Sequence, residues 1–583
     1  MDLVTSDGRK ELGRRIQAAI MEAGYGSLSE FARQVGWSRA LIYQYVNGTV
    51  LVQLDRLQQI AERTGKTLEW FLVGDQAVDN GLVAELREAL GTAREEVRAL
   101  QLELSEERAA RLSEGQRQLR SELNLLGDYC RALRRAGDAP GLVEAGSRWL
   151  EAAQRAGDQR SQMQARLQMG HGWFLQGQLG RAEEVLAEAV TEAGGAGQEA
   201  IVNSARQELV RVLLQSGKTD EARRQASSLA HADLWWPRWA GRLMLAAIAA
   251  QEAELDECTE ELQQAEEVIE SGDEPAARRA VARAYLLSNR VTAALAAGQY
   301  GRAASLNDEL RSLAAQAGVA DQLREAELNR AIIAVRRGQV ADAQRSLGLL
   351  RDWAQMAQDA RLEALTSAFQ SELARRLGQP AEARELGRAA LQKALGSGQP
   401  HLMLEAHLAL AHAELADGRT DDARYHVAQA QRLAGELRHR RLELEAELLS
   451  LRVASGEQAS VRAMETKLLA TLEKTGILDL HAEGMLLHAR GQAHDDRLAL
   501  LQSAAARALD SGHFWGAEAA LRALAETYLS AGDHAAARET IATGCRLIEN
   551  TIGTAECCPT IEAGWRQLRE RVGISPGREG ASQ

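Results

Sequence analysis

The sequence predicts an all-α protein in three parts: a front unit of five short helices, a helical connector, and a long array of about eleven helical hairpins. Three observations lead there. Ala, Leu, Glu, Arg and Gln, all strong helix formers, dominate nearly every window, with only seven prolines in 583 residues. A glycine followed five residues later by a small residue recurs along most of the chain, at spacings close to 40 residues. Residues 1–75 break into short apolar-periodic segments opened by serine or closed by glycine. A chain this long exceeds one core, so a small domain joined to an extended array is the economical arrangement.

In the front unit, residues 8–24 put Leu12, Ile16, Ala19 and Ile20 on one helical face. Ser27 opens a second segment that Gly36 closes; Ser38 opens a third that ends at Asn47-Gly48. Leu54 to Thr64 and Thr67 to Leu72 supply the fourth and fifth helices. The net charge of −13 is not carried here: residues 1–75 hold nine Lys/Arg and nine Asp/Glu, so the rest of the chain carries the whole excess. An acidic body repels phosphates, which leaves the neutral front as the part able to approach nucleic acid.

Phe31-Ala32, Val35-Gly36, Ser38, Ile42, Asn47-Gly48, Leu57, Ile60-Ala61, Leu68 and Phe71-Leu72 stand in an order and spacing that resemble the XRE-type, or lambda-repressor-like, helix-turn-helix family across residues 1–75. The local physics agrees. Ala32 is small where the second and third helices cross, Gly36 supplies the turn, and Val35, Ile42 and Leu57 face inward. Positions 39, 40, 43 and 44 then face outward on a helix sized for the major groove. The resemblance implies base readout by Arg39 (guanine), Gln44 (adenine) and Ala40 (a thymine methyl), with Ser27, Tyr43, Asn47 and Thr49 on phosphates. Tyr45 is assigned to the core. Trp37 and Leu41 depart from the smaller polar residues usual at those positions in the family.

In the connector, residues 76–120, Val83, Leu86, Leu90, Ala93, Val97, Leu100 and Leu104 are spaced 3, 4, 3, 4, 3, 4, the pattern of a coiled-coil seam. It reads as a dimerising helix that pairs two DNA-binding heads, or as a surface helix packed on its own array. The homodimer is the preferred reading, because specific affinity usually draws on two half-sites.

Residues 121–573 carry the repeat. Gly177/Ala182, Gly217/Ala222, Gly298/Ala303, Gly338/Ala343, Gly378/Ala383, Gly418/Ala423 and Gly532/Ala537 mark it clearly, Gly137, Gly456 and Gly491 more weakly, and a degenerate unit falls near residue 257. Each unit is a helix, a glycine turn and a second helix whose small residue permits close approach. The pattern resembles tetratricopeptide repeats with a lengthened period. Such arrays offer a groove for a peptide, a small molecule or a protein segment. Trp235, Trp236 and Trp239 are the candidate groove residues, weighed against a packing role in the degenerate repeat. His401, His407 and His412 lack a ligand spacing and are assigned no metal. Residues 574–583 read as a disordered tail.

No Walker loop, dinucleotide fingerprint, HExxH or GxSxG occurs, so neither an enzyme nor a cofactor is expected. Five scattered cysteines, at 130, 258, 545, 557 and 558, form no disulfide framework; with no secretory leader and no membrane-length apolar run, a cytoplasmic protein is expected. Two readings remain. One is a transcription regulator that binds double-stranded DNA and whose repeats modulate operator binding through a ligand. The other is a protein-interaction scaffold that its head tethers to DNA.

Overall fold

Serine caps and glycine turns determine where the front helices begin and end. In a computed structural model of the chain, the structure describes residues 6–50, 52, 54–66, 70–71, 91–92, 94–104, 115–195, 197–357, 359–454, 459–552 and 559–573. The chain divides into two compact units, Met1–Ala84 and Glu85–Gln583. Described residues form helices and turns, with no strand among them.

The first unit contains α1 (Ser6–Glu22), α2 (Leu28–Gln34), α3 (Arg39–Val46) and α4 (Leu54–Thr64). Of the expected fifth helix, Trp70 and Phe71 are helical and the other positions lie outside the described residues. Ser27 Oγ accepts from the Glu30 amide at 3.1 Å while the Glu30 carboxylate accepts from the Gly26 amide at 2.9 Å, so the entry to α2 is held from both directions. Ser38 Oγ accepts from the Leu41 amide at 3.2 Å and starts α3. Between them Gly36 sits at φ +75°, a conformation that side-chain-bearing residues seldom adopt. Leu12, Ile16, Ile20, Phe31, Ile42, Leu57, Ile60 and Phe71 make the core, each at most 3% exposed. Trp37 joins them: it meets Phe31 and Tyr45 edge-on, with the Arg56 guanidinium over its ring at 5.0 Å. Its departure from the usual family residue therefore has a packing reason. Gly13 brings α1 against the end of α3 so closely that a Cβ would overlap the Val46 carbonyl.

The second unit is a run of helical hairpins. Eleven occur among the described residues, from Gly115–Ala136 with Ala139–Ala156 to Phe514–Ser530 with His534–Ile552, and Pro559–Arg571 packs on the last. The alanines singled out by the repeat, Ala182, Ala222, Ala303, Ala343, Ala383, Ala423 and Ala537, are fully buried. Their glycines, from Gly177 to Gly532, take positive φ. The degenerate unit turns at Ala253, which adopts φ +59° without being glycine. A second series, Gly157, Gly197, Gly318, Gly398 and Gly512, closes the links between hairpins in the same way, and Arg438 takes that role at φ +50°.

The array also meets itself at long range. Arg438 donates to Asp220, Gln251 Nε2 donates to the Leu437 carbonyl at 2.6 Å, and Trp515 Nε1 donates to the Val335 carbonyl at 2.6 Å. A Cβ on Gly177 would strike the Ser397 carbonyl, and one on Gly217 the Glu436 carbonyl. Partners some 180–220 residues apart therefore lie on successive coils of one superhelix. No helix among the described residues is long and apolar enough to cross a membrane.

Candidate nucleic-acid interface and repeat interior

On α3 the helical period sorts the side chains into two sets. Ile42, Tyr45 and Val46 are buried, while Arg39, Ala40, Tyr43 and Gln44 are exposed. The Arg39 guanidinium lies over the Tyr43 ring at 5.7 Å, which keeps a long flexible side chain near the helix surface. Asn47 is exposed at the C-cap of α3. The Thr49 hydroxyl donates to the Gln44 carbonyl at 3.0 Å, and the Ser27 oxygen is already the cap of α2. Both remain on the surface, each with one of its hydrogen-bonding capacities in use. The structure thus gathers the seven head residues expected to meet DNA at the surface of the first unit, with the four of α3 on its outward face.

Of the connector seam, Val83, Leu86, Leu90 and Ala93 lie outside the described residues. Val97, Leu100 and Leu104 pack against Leu123, Leu126, Tyr129 and Leu133 of the same chain, with Leu104 only 7% exposed. Gln101 Nε2 donates to the Tyr129 hydroxyl and Arg135 donates to Glu96 at 2.6 Å, fastening the same contact. Heptad spacing describes an apolar stripe and leaves open which chain covers it; here its C-terminal half is covered intramolecularly.

The tryptophans are placed in a core. Trp239 is 3% exposed, Trp235 stacks on it with centroids 6.2 Å apart, and Trp235 Nε1 donates to the Val268 carbonyl at 2.6 Å. Trp236 packs on both, half-buried beneath Arg278. The three indoles, with Cys258, Leu262 and Ile269, fill the hairpin whose turn is Ala253. Their density comes from packing in the irregular repeat.

What the sequence reading missed is a charged interior built from the first helices of successive hairpins. Arg441 donates to Asp479 through both terminal nitrogens, at 3.0 and 2.6 Å; the Tyr300 hydroxyl donates to the same carboxylate at 2.6 Å. Burial opposes ionisation of Asp479, but Arg441 beside it holds the carboxyl well below the usual carboxylate range. Arg336 donates to Glu372 at 2.9 Å and Arg452 to Glu483 at 2.8 Å. His412 faces Glu445 at 3.4 Å. Burial works against the charged form of Glu445 too, yet His412 and Arg336 hold it down at about 2. Further out, His407 and His426 meet nitrogen to nitrogen at 2.8 Å, while His401 is pushed down to about 3 by burial. Among the described residues no group of three or more His, Cys, Asp or Glu is placed to hold a metal. The thiols of Cys130 and Cys258 are pushed up by burial, to about 12 and about 11; Cys557 and Cys558 lie outside the described residues.

Among the described residues no cation lies within ion-pair range of Glu405, and burial, with the Glu445 charge beside it, pushes its carboxyl up to about 7. Between the ordinary value of 4.5 and about 7 the folded state keeps a proton the unfolded state has lost. Stability from this group therefore falls as pH rises through that window. Glu405→Gln is expected to raise stability by about 2–3 kcal/mol at about pH 8 and by little at about pH 5. Thermal unfolding of both proteins at the two pH values checks it. A gain equal at both would contradict the assignment.

A helix-turn-helix family profile matches residues 18–71, which span α2, α3 and α4. This head is an XRE-type helix-turn-helix, and the body behind it is a TPR-like array of helical hairpins. Among curated proteins, no sequence matches the chain. Solved structures that superpose on it include a Rap protein complexed with competence and sporulation factor, at 11% identity and TM-score 0.46, covering 61% of this chain and 99% of that one. Apo RapI aligns at 11% identity and TM-score 0.33 over 60% of this chain and 99% of its own. Scc4 in complex with Scc2n aligns at 10% identity and TM-score 0.39 over 94% and 100%. The repeat architecture stands on the chain's own hairpins, independently of these superpositions.

Proposed function

We propose that the chain is a DNA-binding transcription regulator whose repeat unit takes up a ligand and so modulates operator binding. The observation that carries this reading is the outward face of α3. Ser38 fixes its start, Ile42 and Tyr45 anchor its inner side, and Arg39, Ala40, Tyr43 and Gln44 are left free to meet a major groove. Arg39 would fork onto guanine and Gln44 onto adenine, with Ala40 against a thymine methyl; Ser27, Tyr43, Asn47 and Thr49 would position the head on phosphates. The acidic body supports the division of labour, because it has no electrostatic reason to compete for the duplex. A peptide, small molecule or protein segment in the repeat interior would act by binding two conformations of the coil unequally.

Two heads would serve two half-sites. Pairing through residues 83–104 would require Val97, Leu100 and Leu104 to leave their present packing on Leu123 and Leu126. Arg39→Ala and Gln44→Ala are each expected to cost about 1–3 kcal/mol on a bound duplex and to relax preference at one base position. Titrations against single-base duplex variants measure both effects. Uniform weakening on every sequence would move these residues to the phosphate class.

A further inference from the structure

Four arginines of the repeat interior converge on two carboxylates. Arg336, Arg375 and Arg376 come from the ends of Ala320–Arg336 and Ala360–Arg376, and Arg452 from Arg440–Val453. The acids are Glu372 and Glu483. Each is already hydrogen-bonded by one guanidinium: Glu372 by Arg336 at 2.9 Å, Glu483 by Arg452 at 2.8 Å. The other two arginines stay at ion-pair range only. Arg375 is 3.9 Å from Glu372, and Arg376 is 3.7 Å from Glu372 and 3.8 Å from Glu483. The Nε atoms of Arg375 and Arg376 are buried with no hydrogen-bond partner. With Glu445 counted, which is turned toward His412, the cluster is positive by one charge while Glu405 is protonated and neutral once Glu405 ionises.

We infer that Arg375 and Arg376 form a binding site for one oxyanion, a carboxylate or phosphate group, inside the repeat unit. Guanidinium forks match such groups with two donors each. The side chains are 16% and 18% exposed, enough for a small anion to reach and little enough for water to screen the pair weakly. Trp515, with Arg376 over its ring at 5.6 Å, forms an aromatic wall beside Arg376. The mutual repulsion of adjacent guanidiniums is consistent with this role: burial, then Arg376, push Arg375 down to about 9, a penalty an anion would relieve. An ordinary last-turn arginine gains from the helix end, but that accounts for neither the doubled residue nor its buried unbonded nitrogens.

The inference rests on the proposed function only in treating the repeat interior as the ligand chamber; the head and its DNA do not enter it. Calorimetric titration of the full chain with inorganic phosphate, and separately with succinate, at constant ionic strength in chloride tests it. One saturable site per chain is expected for at least one of them, and the stronger of the two identifies the group. Arg375→Gln and Arg376→Gln are each expected to weaken it at least tenfold, while Arg424→Gln on the exposed surface leaves it unchanged. Arg375→Lys, which keeps the charge and loses the fork, is expected to fall between. Absence of saturable binding by both anions in the unaltered chain overturns the proposal, as does undiminished affinity in both glutamine variants. Failure here would leave duplex binding by the head intact, and failure of duplex binding would leave this site intact.

Discussion

Replacing Asp479 by alanine is expected to destabilise the repeat unit by about 3–5 kcal/mol, the usual consequence of stripping one partner from a buried ion pair. The carboxylate is 2% exposed as a residue and carries three charge-assisted or hydroxyl hydrogen bonds, from Arg441 twice and from Tyr300. Without it the Arg441 guanidinium stays buried with only the Ala296 carbonyl, at 3.1 Å, and the Tyr300 oxygen as partners. The loss also loosens the coil, since Tyr300 stands 179 positions from Asp479 and the Leu478 amide donates to the Ala297 carbonyl at the same junction. Thermal unfolding of Asp479→Ala beside the double variant Asp479→Leu, Arg441→Met separates the explanations. A buried charge left alone predicts that the double variant recovers most of the loss. An equal loss in both would mean that the contact matters for shape and hardly at all for charge.

Gly13→Ala should remove most of the stability of the head. A Cβ at this position overlaps the backbone carbonyls of Val46 and Tyr45, groups that cannot rotate away, so α1 and α3 must separate. Such a clash costs on the order of 3 kcal/mol against roughly 3–5 kcal/mol available to a domain of this size. Duplex binding is expected to disappear while unfolding of the repeat unit stays unchanged, since the two are separate compact units. Limited proteolysis, with cleavage confined to the first 84 residues of the variant, would register it. A protease-resistant head in Gly13→Ala would show that the α1–α3 crossing is looser than it stands here.

These two sites also mark what could be read in advance. The caps Ser27 and Ser38, the turn at Gly36 and the burial of Ile42 and Tyr45 are local, so the sequence carries them in full. Repeat glycines were legible because a left-handed turn selects for glycine, and the eleven hairpins follow from their period. Ala253 and Arg438 escaped the pattern because they adopt that turn without the residue that announces it. Contacts such as Asp220 with Arg438 depend on superhelical pitch, a sum of small rotations that no single repeat encodes. The interior charges were hidden for a related reason. First helices of middle hairpins pack on both sides, so their Arg and Glu do not sort into a polar face; the doubled arginines before the turns at Gly338 and Gly378 were the available signal. The seam at Val97–Leu104 and the tryptophans at 235–239 gave true apolar signals whose partner lies in the same chain.

Selection of duplexes by the full-length protein from a random pool bears most directly on the head. Enrichment of one sequence motif is predicted, with the motif degraded at single positions for Arg39→Ala and Gln44→Ala. A pool that stays random, or the same motif enriched undiminished by both variants together, would contradict the role given to α3.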